Sequence, residues 1–349
     1  GNQVFGPAAL DTVEIYDPVL DSWSAAPSLP MGPRTAMGYA VLSDGRFMVA
    51  GGDDAAGTTH DDTAIFTAGP DTWSLTGLLD KPRRAELRSR QDGLLETIAV
   101  GPNAGNVLWA MGADSTGTTF LDSVILTVGP DTWGQVAAAP FAHRSHGVGQ
   151  LSDGRILAIG GFLSASTVGG GLRVDIWTPA TNTWANTTDL SFGSGAGAGW
   201  VSMTTSQLTS GPDSGDLLIF GGSSISPGSI QRTDVLRYDS GSGLWIVETS
   251  APFASAGGPA GANPLAGSDI QVYGGQIGPG TTRTNRVLDL NQSTVTFFDY
   301  LAKIQAATSQ NTEVTDPGSG AQVYVFGGIG PGNSNLSTNE TFAPLPPVG

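Results

Sequence analysis

Short runs of alternating apolar and polar residues, separated by turn sequences, fill this chain. Between positions 144 and 184 such runs are divided by the turn Ser152-Asp153-Gly154, by a small-residue loop after Gly160-Gly161, and by a polar turn before Trp184. Period-two runs of roughly four to eight residues bounded by Gly, Asp, Ser and Thr are typical of β-strands. This stretch therefore predicts one four-stranded antiparallel sheet.

The same unit recurs along the chain. LSDGR occurs at Leu42–Arg46 and Leu151–Arg155, and GPDTW at Gly69–Trp73 and Gly129–Trp133. A glycine pair or a near variant stands at Gly51-Gly52, Met111-Gly112, Gly160-Gly161, Gly221-Gly222, Gly274-Gly275 and Gly327-Gly328, and a large aromatic at Trp23, Trp73, Trp133, Trp184, Trp245 and Phe298. The glycine marks lie 49 to 61 residues apart, which fits a repeat built from one small sheet.

These marks resemble the Kelch repeat of β-propellers, in which an apolar strand ends in Gly-Gly and a later strand ends in Tyr-Asp before a Trp. Three segments carry the resemblance best: Val13–Asp17 with Trp23, Asp175–Trp184, and Asp234–Asp239 with Trp245. The resemblance covers nearly the whole chain and implies an all-β, Kelch-type propeller. It says little about function, because this fold carries enzymes and binding modules alike.

The marks run from a Trp near the start to a glycine pair near the end. We read this as a six-bladed propeller forming a single domain, 1–349, closed by pairing of N- and C-terminal strands, which would leave no free sheet edge. Seven blades are the alternative, because Val4-Phe5-Gly6 resembles part of a second strand and 339–342 an additional third strand. The Pro-rich segment 343–349 is expected to be a tail or linker.

Charge excludes some partners. The formal net charge is −16, with only Lys81 and Lys303 as lysines, so we expect no nucleic-acid binding, which depends on basic side chains at phosphates. The longest apolar runs have strand length, so direct membrane insertion is not expected. A composition rich in Gly, Ser and Thr and poor in Lys favours an extracellular or cell-surface location.

The absence of cysteine limits the chemistry. Kelch-like enzymes resembling galactose oxidase use a Tyr–Cys crosslink at copper, and this chain has 0 Cys. His143 and His146 could share a metal with a carboxylate, and the aspartate pairs Asp53-Asp54 and Asp61-Asp62 could bind calcium. Structural roles are the preferred interpretation for all of them, so we expect no metal, no cofactor and no catalytic residue.

Basic residues are the candidate ligand-binding groups. Arg34, Arg90 and Arg144 stand before a predicted innermost strand, where Kelch proteins carry an arginine near the channel mouth. Arg84 lies in the basic stretch Lys81–Arg90, and His146 adjoins Arg144. An anion or an acidic partner would suit such groups. The alternative is structural, with the arginines bound to backbone carbonyls or paired with the acidic excess.

Three functions follow from these observations. We favour a non-catalytic extracellular module that binds a protein partner or assembles with itself. The second is a carbohydrate-active or glycan-binding propeller, such as a sialic-acid mutarotase-like enzyme, although the predicted long loops lack the Trp and Tyr platforms that sugars favour. The third is a structural spacer within a larger chain.

Overall fold

The computed structural model consists of β-strands and turns throughout the part of the chain that it describes. That part is residues 9–17, 22–83, 95–162, 172–190, 200–201, 203–209, 211–224 and 230–255, followed by the strands between 261 and 342. Within it there is no helix long and apolar enough to cross a membrane. The sequence allowed a short helix at 81–90, but most of that segment lies outside the described residues.

The strands follow one another in the order predicted from the apolar runs. They are β1 (Val13–Asp17), β2 (Ser22–Ala26), β3 (Gly38–Val41), β4 (Phe47–Ala50), β5 (Thr63–Thr67), β6 (Thr72–Leu75), β7 (Leu95–Thr97), β8 (Val107–Trp109), β9 (Val124–Thr127), β10 (Thr132–Gln135), β11 (Gly147–Gln150), β12 (Ile156–Ile159), β13 (Val174–Thr178), β14 (Thr183–Asn186), β15 (Trp200–Val201), β16 (Thr204–Gln207), β17 (Leu217–Phe220), β18 (Ser223–Ser224), β19 (Ile230–Asp239), β20 (Leu244–Ser255), β21 (Gly261–Pro264), β22 (Ile270–Tyr273), β23 (Gln276–Ile277), β24 (Gly280–Thr281), β25 (Asn285–Asp289), β26 (Thr296–Asp299), β27 (Thr312–Asp316), β28 (Gln322–Phe326) and β29 (Asn339–Phe342).

Most of these strands form four-stranded antiparallel sheets. Sheet 1 is β3-β4-β5-β6, sheet 2 is β7-β8-β9-β10, and sheet 3 is β11-β12-β13-β14. Sheet 4 contains β16-β17-β19-β20 and extends further, because β19 also pairs with β18, which pairs with β15. Sheet 5 is β21-β22-β25-β26, and β23 and β24 form a separate hairpin. These meandering sheets are consistent with a β-propeller.

The first strands of successive sheets lie side by side. Strand β3 contacts β7, β7 contacts β11, β11 contacts β16, and β16 contacts β21. Small residues permit this approach: a Cβ on Gly38 would lie 3.0 Å from the Trp109 ring, and one on Gly149 would lie 2.6 Å from the Leu217 side chain. Each first strand therefore packs against the sheet that follows it.

Aromatic pairs join the third and fourth strands at one repeated position. Phe66 pairs with Trp73 and Tyr238 with Trp245, each with ring centroids 5.1 Å apart. The Trp indole also reaches the preceding part of the chain: Trp73 Nε1 donates to the Pro27 carbonyl at 2.9 Å. The rings thus supply buried area within a sheet and a hydrogen bond between sheets.

The glycine pairs stand where neighbouring backbones meet. Gly51 has φ 63° and Gly52 φ 86°, in the left-handed region that favours glycine. A Cβ on Gly51 would lie 2.2 Å from the Arg83 carbonyl oxygen. In sheet 2, Met111 occupies the equivalent place with φ 49°, so the Met-Gly variant keeps the left-handed backbone of the glycine pair.

An Asp-Gly pair is typical of two-residue hairpin turns, but the LSDGR turn at residues 42–46 has three central residues. The amide of Leu42 donates to the Arg46 carbonyl at 2.8 Å, and that of Gly45 donates to the Leu42 carbonyl at 2.9 Å. Gly45 has φ 84°, as a three-residue turn that ends in a left-handed glycine requires.

These turns also tie neighbouring sheets together. Arg46 Nη1 and Nη2 donate to the two carboxylate oxygens of Asp131, at 2.6 and 2.8 Å, in the GPDTW turn of sheet 2. Arg155, in the second LSDGR, donates to the Ser240 carbonyl of sheet 4 at 3.0 Å. Between sheets 1 and 2 an LSDGR turn thus contacts a GPDTW turn, whereas the second LSDGR turn contacts a backbone carbonyl of sheet 4.

The two ends of the chain form separate sheets among the described strands. Strands β1 and β2 make a two-stranded sheet, and β27-β28-β29 a three-stranded one. The sequence predicted that the first strands would complete the last blade. Instead β29 pairs with β28, with Val325 opposite Glu340. It occupies the edge of β28 at which the prediction places β1.

Candidate functional site

One end of the sheets carries the residues singled out from the sequence, and we call it the loop face. It contains the segments that enter the first strands, the ends of the second strands, and the connections between sheets. Two bridges define it: Thr35 with Asp53 in sheet 1, and Arg144 with Phe162 in sheet 3. The LSDGR and GPDTW turns lie at the opposite end, which we call the turn face.

Arg83 and His143 are the structurally equivalent residues at the entries to sheets 2 and 3. The carbonyl of Arg83 accepts the Gly52 amide at 2.9 Å, and that of His143 accepts the Gly112 amide at 3.1 Å. Arg34 is the equivalent residue in sheet 1, because it lies four residues before Gly38 as His143 lies four before Gly147. Arg144 thus lies one residue later in the repeat than Arg34, while Arg84 and Arg90 lie outside the described residues.

Arg83 is a fully buried connector between sheets. Its Nη1 donates to the Met111 carbonyl at 2.9 Å, and its Nη2 donates to Asp80 Oδ1 at 2.8 Å and to Asp122 Oδ2 at 2.6 Å. Lys81 Nζ lies 2.7 Å from the same Asp122 oxygen. Burial would raise the pKa of Asp122, but the hydrogen bond from Lys81 and the charge of Arg83 lower it to about 2. Two of the basic groups in 81–90 are therefore neutralised by aspartates.

Arg34 has a similar role in sheet 1. Its Nη2 donates to Asp62 Oδ2 at 3.0 Å and its Nη1 to the Pro33 carbonyl at 3.1 Å. Its side chain is only 7% exposed. The structural alternative considered for this arginine is thus supported by its contacts.

His143 and His146 form a buried cluster with Asp175 in sheet 3. His143 Nδ1 lies 2.6 Å from the Gly160 carbonyl oxygen and Nε2 lies 3.2 Å from Asp175 Oδ2. The ring of His146 lies 5.5 Å from that of His143, between centroids. Burial, and then the charge of His143, lower the pKa of His146 well below its ordinary value.

Arg144 is the predicted binding residue that the structure leaves half-buried on the loop face. Its guanidinium carbon lies 4.9 Å from the centroid of the Phe162 ring. The residue that follows, Ser145, has φ 51°, a conformation that costs a non-glycine residue about 1–3 kcal/mol and recurs at binding sites. Ala36, at the equivalent place in sheet 1, has φ 53°, so the strain belongs to the repeat.

The loops after the glycine pairs use their aspartates internally. Asp54 Oδ1 accepts the amides of Ala56 and Thr58 at 2.8 and 2.9 Å, and Asp114 Oδ1 accepts those of Thr116 and Thr118 at 2.9 and 3.0 Å. The hydrogen bond from the Thr58 amide, followed by that from His60, lowers the pKa of Asp54 to about 2. These carboxylates shape the loops, and the described residues contain no group of three or more side chains placed to hold a metal ion.

Comparisons with known proteins bear on the fold. No family model matches the chain, and no curated protein matches it. The solved structure of a protein named YjhT superposes with a TM-score of 0.58 at 14% identity, covering 80% of this chain and 88% of that one. A likeness at this identity concerns the fold, and together with the four-stranded sheets it is consistent with a β-propeller.

Proposed function

We propose that this chain is a non-catalytic, extracellular Kelch-type propeller that binds a protein partner, or another copy of itself, through the loop face. The observation that carries the proposal is the Arg144–Phe162 stack, half-buried beside the entry to β11. The guanidinium carbon of half-buried Arg144 lies 4.9 Å from the centroid of the half-buried Phe162 ring. Arginine and aromatic residues are enriched where protein interfaces have their strongest contacts.

The chemistry of the stack indicates what it would bind. A guanidinium presents a planar set of donors that fits a carboxylate or a backbone carbonyl, and the ring beneath keeps it in place. The chain has a net charge of −16, which disfavours strongly acidic partners. We therefore propose a partner with a single carboxylate or carbonyl at the contact and a neutral or basic surface around it.

A photo-crosslinking residue placed on either face tests this proposal. Phe162 marks the loop face, and exposed Thr72 in the turn of sheet 1 marks the turn face as a matched control. We expect crosslinks to a partner or a second copy from position 162 only, with loss of them in Arg144→Glu. Equal crosslinking from position 72, or crosslinks unchanged by Arg144→Glu, would contradict binding through the loop face.

A sialic-acid mutarotase-like enzyme is the second candidate. The His143–Asp175 hydrogen bond is the kind of acid–base pair that ring opening of a sugar requires. Both side chains are 0% exposed, so a sugar could not reach them in this arrangement, and the candidate ranks second. Accelerated anomer exchange of a free sialic acid, followed by NMR and lost in His143→Gln, would replace the first proposal with this one.

We further propose that the sheets close into a ring of Kelch type with seven blades. Six blades with a shared last blade were the first prediction from the sequence. The separate β1-β2 and β27-β28-β29 sheets, with five complete sheets between them, support the seven-blade alternative. On this proposal the two terminal sheets are neighbours in the ring.

A further inference from the structure

Two positions at the loop face distinguish sheet 3 from sheets 1 and 4 among the described residues. The residue just before the first strand is Met37 in sheet 1 and Met203 in sheet 4, but His146 in sheet 3. The residue three places earlier in sheet 3 is His143, where sheet 1 has Arg34. Sheet 3 thus carries titratable imidazoles at positions where these sheets have a thioether or a permanent charge.

His143 has acceptors at both ring nitrogens. Nδ1 lies 2.6 Å from the Gly160 carbonyl oxygen, so it carries a proton and donates. Nε2 lies 3.2 Å from Asp175 Oδ2, which also accepts the Phe141 amide at 3.1 Å. A second proton therefore lies between His143 and Asp175, either as an ion pair or as a neutral hydrogen bond. Both side chains are 0% exposed, so this contact is deeply buried.

His146 has no such support. It is 2% exposed, and neither ring nitrogen has a hydrogen-bond partner among the described residues. A proton added to it would create a buried charge beside His143, which is costly without a partner. The junction is tightly packed, because a Cβ on Gly147 would lie 2.8 Å from Met203 Cγ in sheet 4.

The charged groups around His146 do not offset that cost. On its own segment the guanidinium of Arg144 lies over Phe162 and would repel a second cation. From β13 comes Asp175, whose Oδ2 is used by His143 and whose Oδ1 has no partner in the described structure. Uncharged Met203 lies directly before the adjacent strand β16. The neutral imidazole is thus the form that this packing accommodates.

We propose that the His143–His146 pair makes the junction between sheets 3 and 4 an acid-sensitive joint that loosens when His146 takes up a proton. The direction follows from linkage. In the unfolded chain His146 has an ordinary pKa of about 6.5, whereas in the folded chain burial and then His143 lower its pKa well below that. Above about pH 6.5 His146 is neutral in both the folded and the unfolded chain, so it does not change the free energy of unfolding. Below that pH the unfolded chain binds a proton that the folded chain does not, and the free energy of unfolding falls.

The test compares the wild type with His146→Met, which installs the residue found at the equivalent places Met37 and Met203. Urea unfolding followed by Trp fluorescence at pH 8 and pH 5 gives the unfolding constant. One histidine that is neutral when folded and has an ordinary pKa when unfolded raises the unfolding constant by about 30-fold between pH 8 and pH 5. We therefore expect the unfolding constant of the wild type to rise about 30-fold more than that of His146→Met. His60→Gln is the matched control, because His60 lies between β4 and β5 of sheet 1, away from the junction of sheets 3 and 4, and the rise that depends on His146 should persist in this variant. An identical rise in the wild type and His146→Met would overturn the proposal.

Two further measurements do not depend on that variant folding. The chain has 3 His, so NMR can follow each imidazole, and the His146 signals should stay unchanged as the pH falls from 8 to 5.5. Amide exchange at pH 5 should increase in β11 and β16 more than in β3 and β7. Ordinary titration of folded His146, or an equal increase at both junctions, would also refute the acid-sensitive joint.

Discussion

Loss of the Arg46–Asp131 contact should separate the turn faces of sheets 1 and 2. Arg46 makes two hydrogen bonds to Asp131, at 2.6 and 2.8 Å, and a third from Nε to Asp44 at 2.8 Å. The side chains of Arg46 and Asp131 are 21% and 18% exposed. Hydrogen bonds to charged groups contribute about 1.5–3 kcal/mol and exposed ion pairs about 0.2–1 kcal/mol. For this partly exposed bidentate pair we expect a coupling of about 1–2 kcal/mol between these limits.

A double-mutant cycle measures this coupling. The variants are Arg46→Met, Asp131→Asn and both together, with urea unfolding at pH 7. Asn suits position 131 because the residue has φ 53°, a conformation that Asn tolerates, and because the side-chain Oδ1 accepts the Gly129 amide. Arg155→Met is the matched control, since Arg155 reaches a Ser240 carbonyl instead of a carboxylate, and it should show no coupling with Asp131. A coupling below about 0.3 kcal/mol would refute the inter-sheet role of LSDGR.

The pH dependence of the same pair gives an independent check. The hydrogen bond from Arg46 lowers the pKa of Asp131 below its ordinary value, so the folded state favours the ionised carboxylate. The stabilisation is therefore present above about pH 4 and is lost as the pH falls through the lowered value. Arg46→Met should show a weaker loss of stability over that acidic range than the wild type.

The remaining predictions concern crowding and buried charge at the loop face. Gly51→Ala should lower the free energy of unfolding by at least about 2 kcal/mol, because of backbone strain and a clash with the Arg83 carbonyl. Gly45→Ala is the control, because Gly45 has φ 84° but a Cβ there would meet nothing within 4 Å, so this variant should lose less stability. Equal losses would contradict the role of the Arg83 carbonyl. Arg83→Met should cost about 1.5–3 kcal/mol because it removes the charged hydrogen bonds from buried Arg83 to Asp80 and Asp122 and leaves Lys81 as their remaining cation, and a loss below about 1 kcal/mol in urea unfolding would contradict this role. Asp122 has its pKa lowered to about 2, so the free energy of unfolding of the wild type should fall between about pH 4 and pH 2 more than that of Asp122→Asn. Equal falls in the two proteins would contradict the stabilisation of the Asp122 carboxylate by Lys81 and Arg83.

The sheets could be predicted from the sequence because each depends on local signals. The apolar runs, the glycine pairs and the Trp marks lie within one repeat, and the predicted third and fourth strands around Tyr16 and Trp23 are confirmed by their pairing. The contact between Arg46 and Asp131 joins residues 85 apart. The repeated phrases indicated that both turns matter, but nothing in either phrase specifies that they touch.

The entry residues show why site prediction was less successful. Arg90 is a candidate because it stands before a predicted innermost strand, as the Kelch arginine does. The position of Arg83 and His143 instead follows from their distance from the end of the preceding sheet. Arg83 lies four residues after Leu79 and His143 four after Ala139, and the Leu79 and Ala139 amides donate to equivalent carbonyls. The number of residues after the last strand of the preceding sheet would therefore have identified both Arg83 and His143. The burial of His143 with Asp175 depends on packing and could not be read from the spacing.

Distance measurement between the terminal sheets tests the ring most directly. The chain has 0 Cys, so pairs of engineered cysteines can carry spin labels without background. Ser24→Cys in β2 with Thr341→Cys in β29 reports on the chain ends, and Thr67→Cys in β5 with Gly134→Cys in β10 reports on two sheets that follow each other in sequence. The account predicts a spin–spin distance for the first pair close to that of the second. A much longer distance between the ends, with the second pair unchanged, would contradict a closed propeller.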